Sequence, residues 1–260
     1  MIVVRSVLFT VAFYATTVAF LLAASPALLL PHRAMVAMAK AWGRTNVWLL
    51  RVVCGVAVEW RGLDKMPKGA LLVAAKHQSA WETFALLPLF DDPSFIIKRE
   101  LTHIPLYGWY AKKAGMIPVD RSAGRAALVK MSRAARSLLA DGRQILIFPE
   151  GTRSAPGAPP DYKPGIALLY GELGVPCLPI ALNSGLHWPR RSVLRPPGTI
   201  LVEVLDPIPP GLPRRAFLER LQETIEAATA RLVAEGQGRL AGVAPPGRPA
   251  QAEGVSAGRS

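Results

Sequence analysis

Two short strings in this sequence carry side chains able to move a proton and to hold an anion. In KHQSAWE, residues 76–82, His77 is followed five positions later by Glu82. In FPEGTRS, residues 148–154, Glu150, Gly151 and Thr152 lead into Arg153. An imidazole fixed in one tautomer by a carboxylate can take the proton of a hydroxyl as that hydroxyl attacks an acyl carbonyl. An arginine fork beside a glycine turn, whose backbone N–H groups point outward, suits phosphate oxygens better than a lysine point charge. Together the strings describe acyl transfer onto a phosphorylated alcohol. His77 is the candidate base and Glu82 its partner.

The spacing sets a geometric condition. Five helical positions rotate a side chain by about 500°, so His77 and Glu82 would lie some 140° apart on one continuous helix. They meet only if His77 sits in the turn before the helix. Ser79, at the start of that helix, reads as an N-cap rather than a nucleophile. No G-x-S-x-G elbow is present, so the attacking group is the substrate's own hydroxyl. Arg121 and Lys98 are further candidates for the phosphate. Taken alone, Arg121 reads equally well as an ion pair with Asp120 or as a solvated helix start. Glu150 is open between orienting Arg153 and contacting acceptor hydroxyls.

The elements that must position these residues alternate between short apolar runs and amphipathic stretches. That pattern predicts an α/β domain with a mixed, largely parallel sheet flanked by helices. Strands are expected at 56–61, 70–75, 95–97, 116–119, 144–148, 177–182 and 200–205. Helices are expected after Ser79 and at 101–113, 123–140, around 166–170, and at 213–235. His77 and the 148–154 string then follow strand ends, where open α/β sheets bind ligands.

Residues 6–30 carry no charge and are almost wholly apolar, longer than the roughly 20 residues that cross a bilayer. They read as an uncleaved hydrophobic helical membrane anchor rather than a signal peptide. His32, Arg33, Lys40, Arg44 and Arg51 follow among apolar residues, as in an interfacial helix. Positive charge after the anchor places the catalytic domain on the cytoplasmic side of the inner membrane. A spanning helix and a re-entrant hairpin broken at Pro26 and Pro31 both fit. The expected organisation is an anchor at 1–55, a catalytic domain at 56–235 and a disordered tail at 236–260.

A net charge of +13 over 260 residues calls for an anionic partner. Aromatic residues are few and no nucleic-acid-binding module is visible, so anionic membrane lipids fit better than nucleic acid. Part of the arginine excess also reads as solvated helix faces. Cys54 and Cys177 are the two cysteines, and no His/Cys/carboxylate cluster has metal-ligand spacing. Neither a metal nor a cofactor is expected.

Four blocks, in order, carry a resemblance: HQSAWE at 77–82; KREL at 98–101 with Pro105, Gly108, Gly115, Asp120 and Arg121; FPEGTRS at 148–154; and VPCLPIAL at 175–182. Over residues 75–208 the chain resembles the glycerolipid acyltransferase family of bacterial membranes, whose hallmark is His-x4-Asp or His-x4-Glu. Glu82 stands where many relatives have Asp, and Lys76 where Asn often precedes the histidine. The resemblance implies direct transfer from acyl-CoA or acyl carrier protein to lysophosphatidic acid, forming phosphatidic acid, with His77 as base. It implies that the blocks bearing Arg121 and Arg153 bind the acceptor. It also points to backbone amides around Val175, Pro176 and Pro179 for the oxyanion; read alone, that stretch is a buried strand entry. Apolar residues in 84–90 and 101–110 either line an acyl groove or fill the core. Two rivals remain: acylation of another lysolipid such as a lyso-ornithine lipid, and a noncatalytic membrane-binding protein.

Overall fold

The computed structural model describes residues 1–120 and 124–242. Seven strands form one sheet in the order β1-β7-β6-β2-β5-β3-β4: β1 Val56–Arg61, β2 Leu71–Ala75, β3 Pro93–Lys98, β4 Ile117–Val119, β5 Gln144–Ile147, β6 Cys177–Leu182 and β7 Gly198–Val204. All neighbours run parallel except β6 and β7. All seven strands fall where the apolar runs predict them. The sheet is mixed and mostly parallel because helical crossovers return the chain to the same edge.

β2 lies in the middle and is buried on both faces, which is why LLVAA is continuously apolar rather than alternating. Leu71, Val73 and Ala75 pack on one side, while Leu72 and Ala74 pack on the other. The first side is covered by α1 Ile2–Ala23, α2 His32–Cys54 and the short α3 Glu82–Ala85. The second is covered by α5 Gly124–Ala140, α6 Gly165–Leu173 and α7 Arg214–Leu240. On α7 the buried residues Phe217, Leu221, Ile225, Ala228 and Leu232 repeat at helical spacing and form its docking stripe.

Several expected boundaries shift. The helix expected over 101–113 is divided into a 3₁₀ turn at Arg99–His103 and α4 at Tyr107–Lys113. Pro105 forces Ile104 into extended geometry, with φ −70° and ψ 123°. β3 and β7 each begin two residues before the expected start. α7 continues to Leu240, past the expected end at 235. The remainder of the expected tail, 243–260, lies outside the described residues.

α1 is long and apolar enough to cross a membrane, yet it docks along one side over nearly its whole length. Arg5 Nε donates to the Val53 carbonyl at 2.7 Å, and the Arg195 N–H donates to Ser6 Oγ at 2.9 Å. Phe9 and Phe13 meet Trp188 edge to face. Further along, Thr16 bonds Asn46 at 3.1 Å, and Tyr110 donates to the Leu21 carbonyl at 2.5 Å. The opposite side leaves Val4, Leu8, Val11, Val18 and Leu22 exposed. A 3₁₀ turn at Ser25–Leu28, containing Pro26, joins α1 to α2, and Pro31 is the α2 N-cap.

Candidate active site

His77 lies in the turn between β2 and α3, as the rotation argument requires. The last sheet bond of this strand end is Lys76 N–H to the Ile180 carbonyl, 2.9 Å. The chain then folds back over Glu82, whose carboxylate is fully buried. Glu82 accepts the N–H groups of Gln78 at 3.0 Å and Ser79 at 3.1 Å, the Ser79 hydroxyl at 3.0 Å, and the Ser184 hydroxyl. Ser79 Oγ in turn accepts the Trp81 N–H at 2.9 Å. The bonds have the reciprocal pattern of a capping box, with Glu82 reaching back to the Ser79 N–H, but α3 begins at Glu82 with Trp81 as its N-cap, so Ser79 tightens the preceding turn instead of serving as the expected N-cap.

His77 Nδ1 stands 3.7 Å from Glu82 Oε2, longer than a hydrogen bond, and Nδ1 is buried with no bonded partner. Burial pushes the Glu82 carboxyl up, but the adjoining imidazole, the Ser184 hydroxyl and the Gln78 N–H outweigh it and leave it below its usual range. At 3.7 Å the imidazole acts by proximity and charge rather than through a formed bond. The imidazole stacks on Phe148, centroids 3.9 Å apart and planes 11° apart, and Phe148 stacks on Phe95. Such stacking fixes the ring plane.

Phe148 begins the second turn, directly after β5. Because β5 pairs in parallel with β2, both turns leave the same edge of the sheet. Gly151 takes φ +66°, a left-handed conformation glycine adopts without strain, and its N–H bonds the Phe148 carbonyl at 2.9 Å. The Ser154 N–H bonds the His77 carbonyl at 2.9 Å, tying one turn to the other. Glu150 is buried and pairs with Lys76 and Ser154, not with Arg153. Arg190 donates to the Arg153 carbonyl at 2.9 Å.

A cavity of about 1030 Å³ opens on both turns, at the upper end of the roughly 300–1,000 Å³ usual for ligand sites. Its lining includes His77, Lys98, Arg153, Lys163, Arg190 and residues 149–152. It is also lined by Phe13 and Phe20 of α1, Met38 and Trp42 of α2, and Tyr110 of α4. The structure therefore brings together His77, Glu82, Lys98, Glu150, Gly151, Thr152 and Arg153. Arg121 lies outside the described residues. Among the described residues, no group of three or more His, Cys, Asp or Glu side chains is placed to hold a metal ion.

Val175, Pro176 and Pro179 are not brought to this site. β6 is parallel to β2, with Leu72 opposite Cys177 and Ala75 opposite Ile180. Val175 and Pro176 consequently precede the strand at the edge opposite His77, where the Pro176 carbonyl accepts the Leu72 N–H. Pro179 lies inside β6 opposite Ala74. Neither proline has an N–H to give an oxyanion. The stretch is the buried strand entry that its residues alone suggest.

Several residues of the site have no signal in the two strings. Ser184 reaches Glu82 from the 3₁₀ turn after β6, and Arg190 and Lys163 reach the cavity from loops. Glu226 of α7 binds Lys76. Only the Ser-x-x-Glu spacing of Ser79 and Glu82 could have been read locally.

The Acyltransferase family model matches residues 57–183. A 1-acyl-sn-glycerol-3-phosphate acyltransferase of Pseudomonas aeruginosa is 39% identical over 177 residues, covering 68% of this chain and 69% of that protein. A lyso-ornithine lipid O-acyltransferase of the same organism is 28% identical over 215 residues, covering 76% and 82%. The crystal structure of PlsC, the 1-acyl-sn-glycerophosphate acyltransferase of Thermotoga maritima, superposes with a TM-score of 0.76 over 90% of this chain and 98% of that one. At 24% identity the latter likeness speaks for the fold. With a family match centred on both turns and a relative similar over two thirds of each chain, this protein belongs to the acyltransferase family.

Proposed function

We propose that this enzyme transfers a fatty acyl group from acyl-CoA or acyl carrier protein to the free hydroxyl of 1-acyl-sn-glycerol 3-phosphate, giving phosphatidic acid. The observation that carries this reading is one cavity lined by an imidazole with a buried carboxylate 3.7 Å behind it, by cationic side chains, and by apolar side chains of α1 and α2. His77 takes the proton as the acceptor oxygen attacks the thioester carbonyl carbon. The C–S bond then breaks, and the imidazolium returns the proton to the departing thiolate. Stacking on Phe148 holds the ring plane, and the Glu82 charge 3.7 Å from Nδ1 stabilises the imidazolium. Arg153, with Lys98, holds the acceptor phosphate; the Arg121 block is proposed to join them. The Pseudomonas relative of higher identity is named for this acceptor.

The exposed apolar side of α1 supports membrane association. We assign it to the cytoplasmic face of the inner membrane, on the basic residues that follow α1. A helix docked sideways from Arg5 to Leu21 cannot cross a bilayer without drawing the domain into hydrocarbon, so α1 and α2 are assigned to one leaflet as a re-entrant pair. Residues 1–55 form this anchor and the acyltransferase domain follows it.

The test is transfer by purified protein in detergent micelles, with labelled acyl-CoA or acyl-carrier protein offered to lysophosphatidic acid, lyso-ornithine lipid or no acceptor. Phosphatidic acid formation is expected, and the productive donor is thereby identified. Product from lyso-ornithine lipid alone would move the acceptor assignment. No product from any pair would favour a noncatalytic membrane protein.

A further inference from the structure

We propose that Lys76 and Glu226 are a positioning pair that holds the 148–154 turn, and with it the acceptor's phosphate site, against the His77 turn; this rests on the acceptor reading above. Lys76 is 2% exposed. Its Nζ lies 3.2 Å from Glu150 Oε1 and 2.7 Å from Glu226 Oε1. The ammonium thus joins the end of β2, the turn after β5 and the middle of α7. Each carboxylate is braced in turn: Ser154 donates to Glu150 Oε1 at 2.7 Å, and Tyr162 donates to Glu226 Oε1 at 2.9 Å.

Burying an ammonium is costly, and replacing a buried ion cluster by apolar side chains is often neutral or favourable for stability. α7 has no need of this cluster to dock, because Phe217, Leu221, Ile225 and Leu232 are fully buried on the sheet. What the cluster does fix is the turn. Glu150 is tied to Lys76 and the Ser154 N–H to the His77 carbonyl, so both flanks of Gly151, Thr152 and Arg153 are held to the residues that carry the base. Those three residues line the cavity. Lys76 and Glu226 therefore act on the acceptor through the turn, without reaching the reacting atoms.

The experiment compares Lys76→Met and Glu226→Gln with the parent enzyme. It uses initial rates over a range of lysophosphatidic acid and of acyl donor, thermal melting, and hydrogen exchange resolved along the backbone. For Lys76→Met the acceptor KM is expected to rise about tenfold to a hundredfold, the scale of a small misplacement, with kcat within about threefold and donor KM unchanged. Glu226→Gln keeps a hydrogen-bonding group beside Lys76 and Tyr162, and should shift acceptor KM in the same direction by a smaller factor. In both variants the amides of 149–154 should exchange faster while those of α7 keep their protection. An unchanged acceptor KM in both folded variants would overturn the proposal, as would equal loss of protection in α7 and the turn. Glu226→Gln decides if Lys76→Met does not fold. Should the parent transfer to no lysolipid, the acceptor reading fails by itself, and the exchange pattern still decides whether the pair positions the turn.

Discussion

The turns after β2 and β5 leave the same sheet edge side by side, but they direct their functional charges in opposite ways. The 76–82 turn points its carboxylate inward, where Glu82 is fully buried under two backbone N–H groups and two hydroxyls. The 148–154 turn buries Glu150 and leaves Arg153 on the cavity wall. A general base works only in one tautomer and orientation, so its partner must be fixed and dry. A phosphate ligand must be reachable, and its charge must not be cancelled beforehand by a neighbouring carboxylate. Lys76 supplies that separation by taking Glu150 away from Arg153.

The largest effect should come from the inward-facing turn. His77→Ala removes the proposed base and leaves the carboxylate's hydrogen bonds intact, so kcat should fall by about 10² to 10⁴ while the melting temperature stays close to the parent's. A kcat within a factor of about three of the parent's would break the division of labour between the turns. Glu82→Gln should act on both quantities. Its amide N–H group cannot accept from the donors that crowd the carboxylate, so about 1–3 kcal/mol of stability should be lost. With the imidazole 3.7 Å away, the rate should fall less than in His77→Ala, by about tenfold to a hundredfold. Melting without a rate change would make Glu82 a cap and nothing more.

Arg153→Ala probes the outward-facing turn. Losing one charge-assisted contact of about 1.5–3 kcal/mol should raise acceptor KM by tenfold or more, with the donor KM unmoved. A change confined to the donor would overturn the assignment of Arg153 to the acceptor.

The contrast between the turns was partly legible in the sequence. Apolar runs located all seven strands, and a rotation argument placed His77 ahead of α3. Pro105 carried the signal for the break before α4, but the apolar pattern on either side of it reads as continuous. Gly236 looked like tail composition; in the structure a Cβ there would stand 2.5 Å from Asn183 Nδ2, so this glycine permits close approach of α7 to the turn after β6. Strand direction was the missing datum for Val175 and Pro176, because chain order does not reveal which edge of the sheet a strand enters from. The Lys76–Glu226 contact was out of reach for a related reason: the two are 150 positions apart, and only the docking of α7 brings them together.

The smallest expected effect lies outside both turns and sharpens the comparison as a control. Near the end of α7, Glu235 is gripped by Arg61 of β1 through two bonds of 2.8 and 2.7 Å and by Arg239 at 2.6 Å. The Arg61 hydrogen bonds overcome the penalty of burial and hold the Glu235 carboxyl at about 2, against an ordinary 4.5. A carboxyl lowered by folding stabilises the folded state above its unfolded value, and that stability is lost as pH falls through the folded value. The parent should therefore lose stability from this pair between about pH 4.5 and 2, while Glu235→Gln should show a flatter melting profile over that window. With solvent screening, the neutral-pH difference should be only about 1 kcal/mol. Neutral-pH kcat and acceptor KM should match the parent's, because Arg61 and Glu235 do not line the cavity. A rise in acceptor KM here like that of Lys76→Met would mean that any loosening of α7 disturbs the 148–154 turn, and the two ties of that helix would no longer be separable.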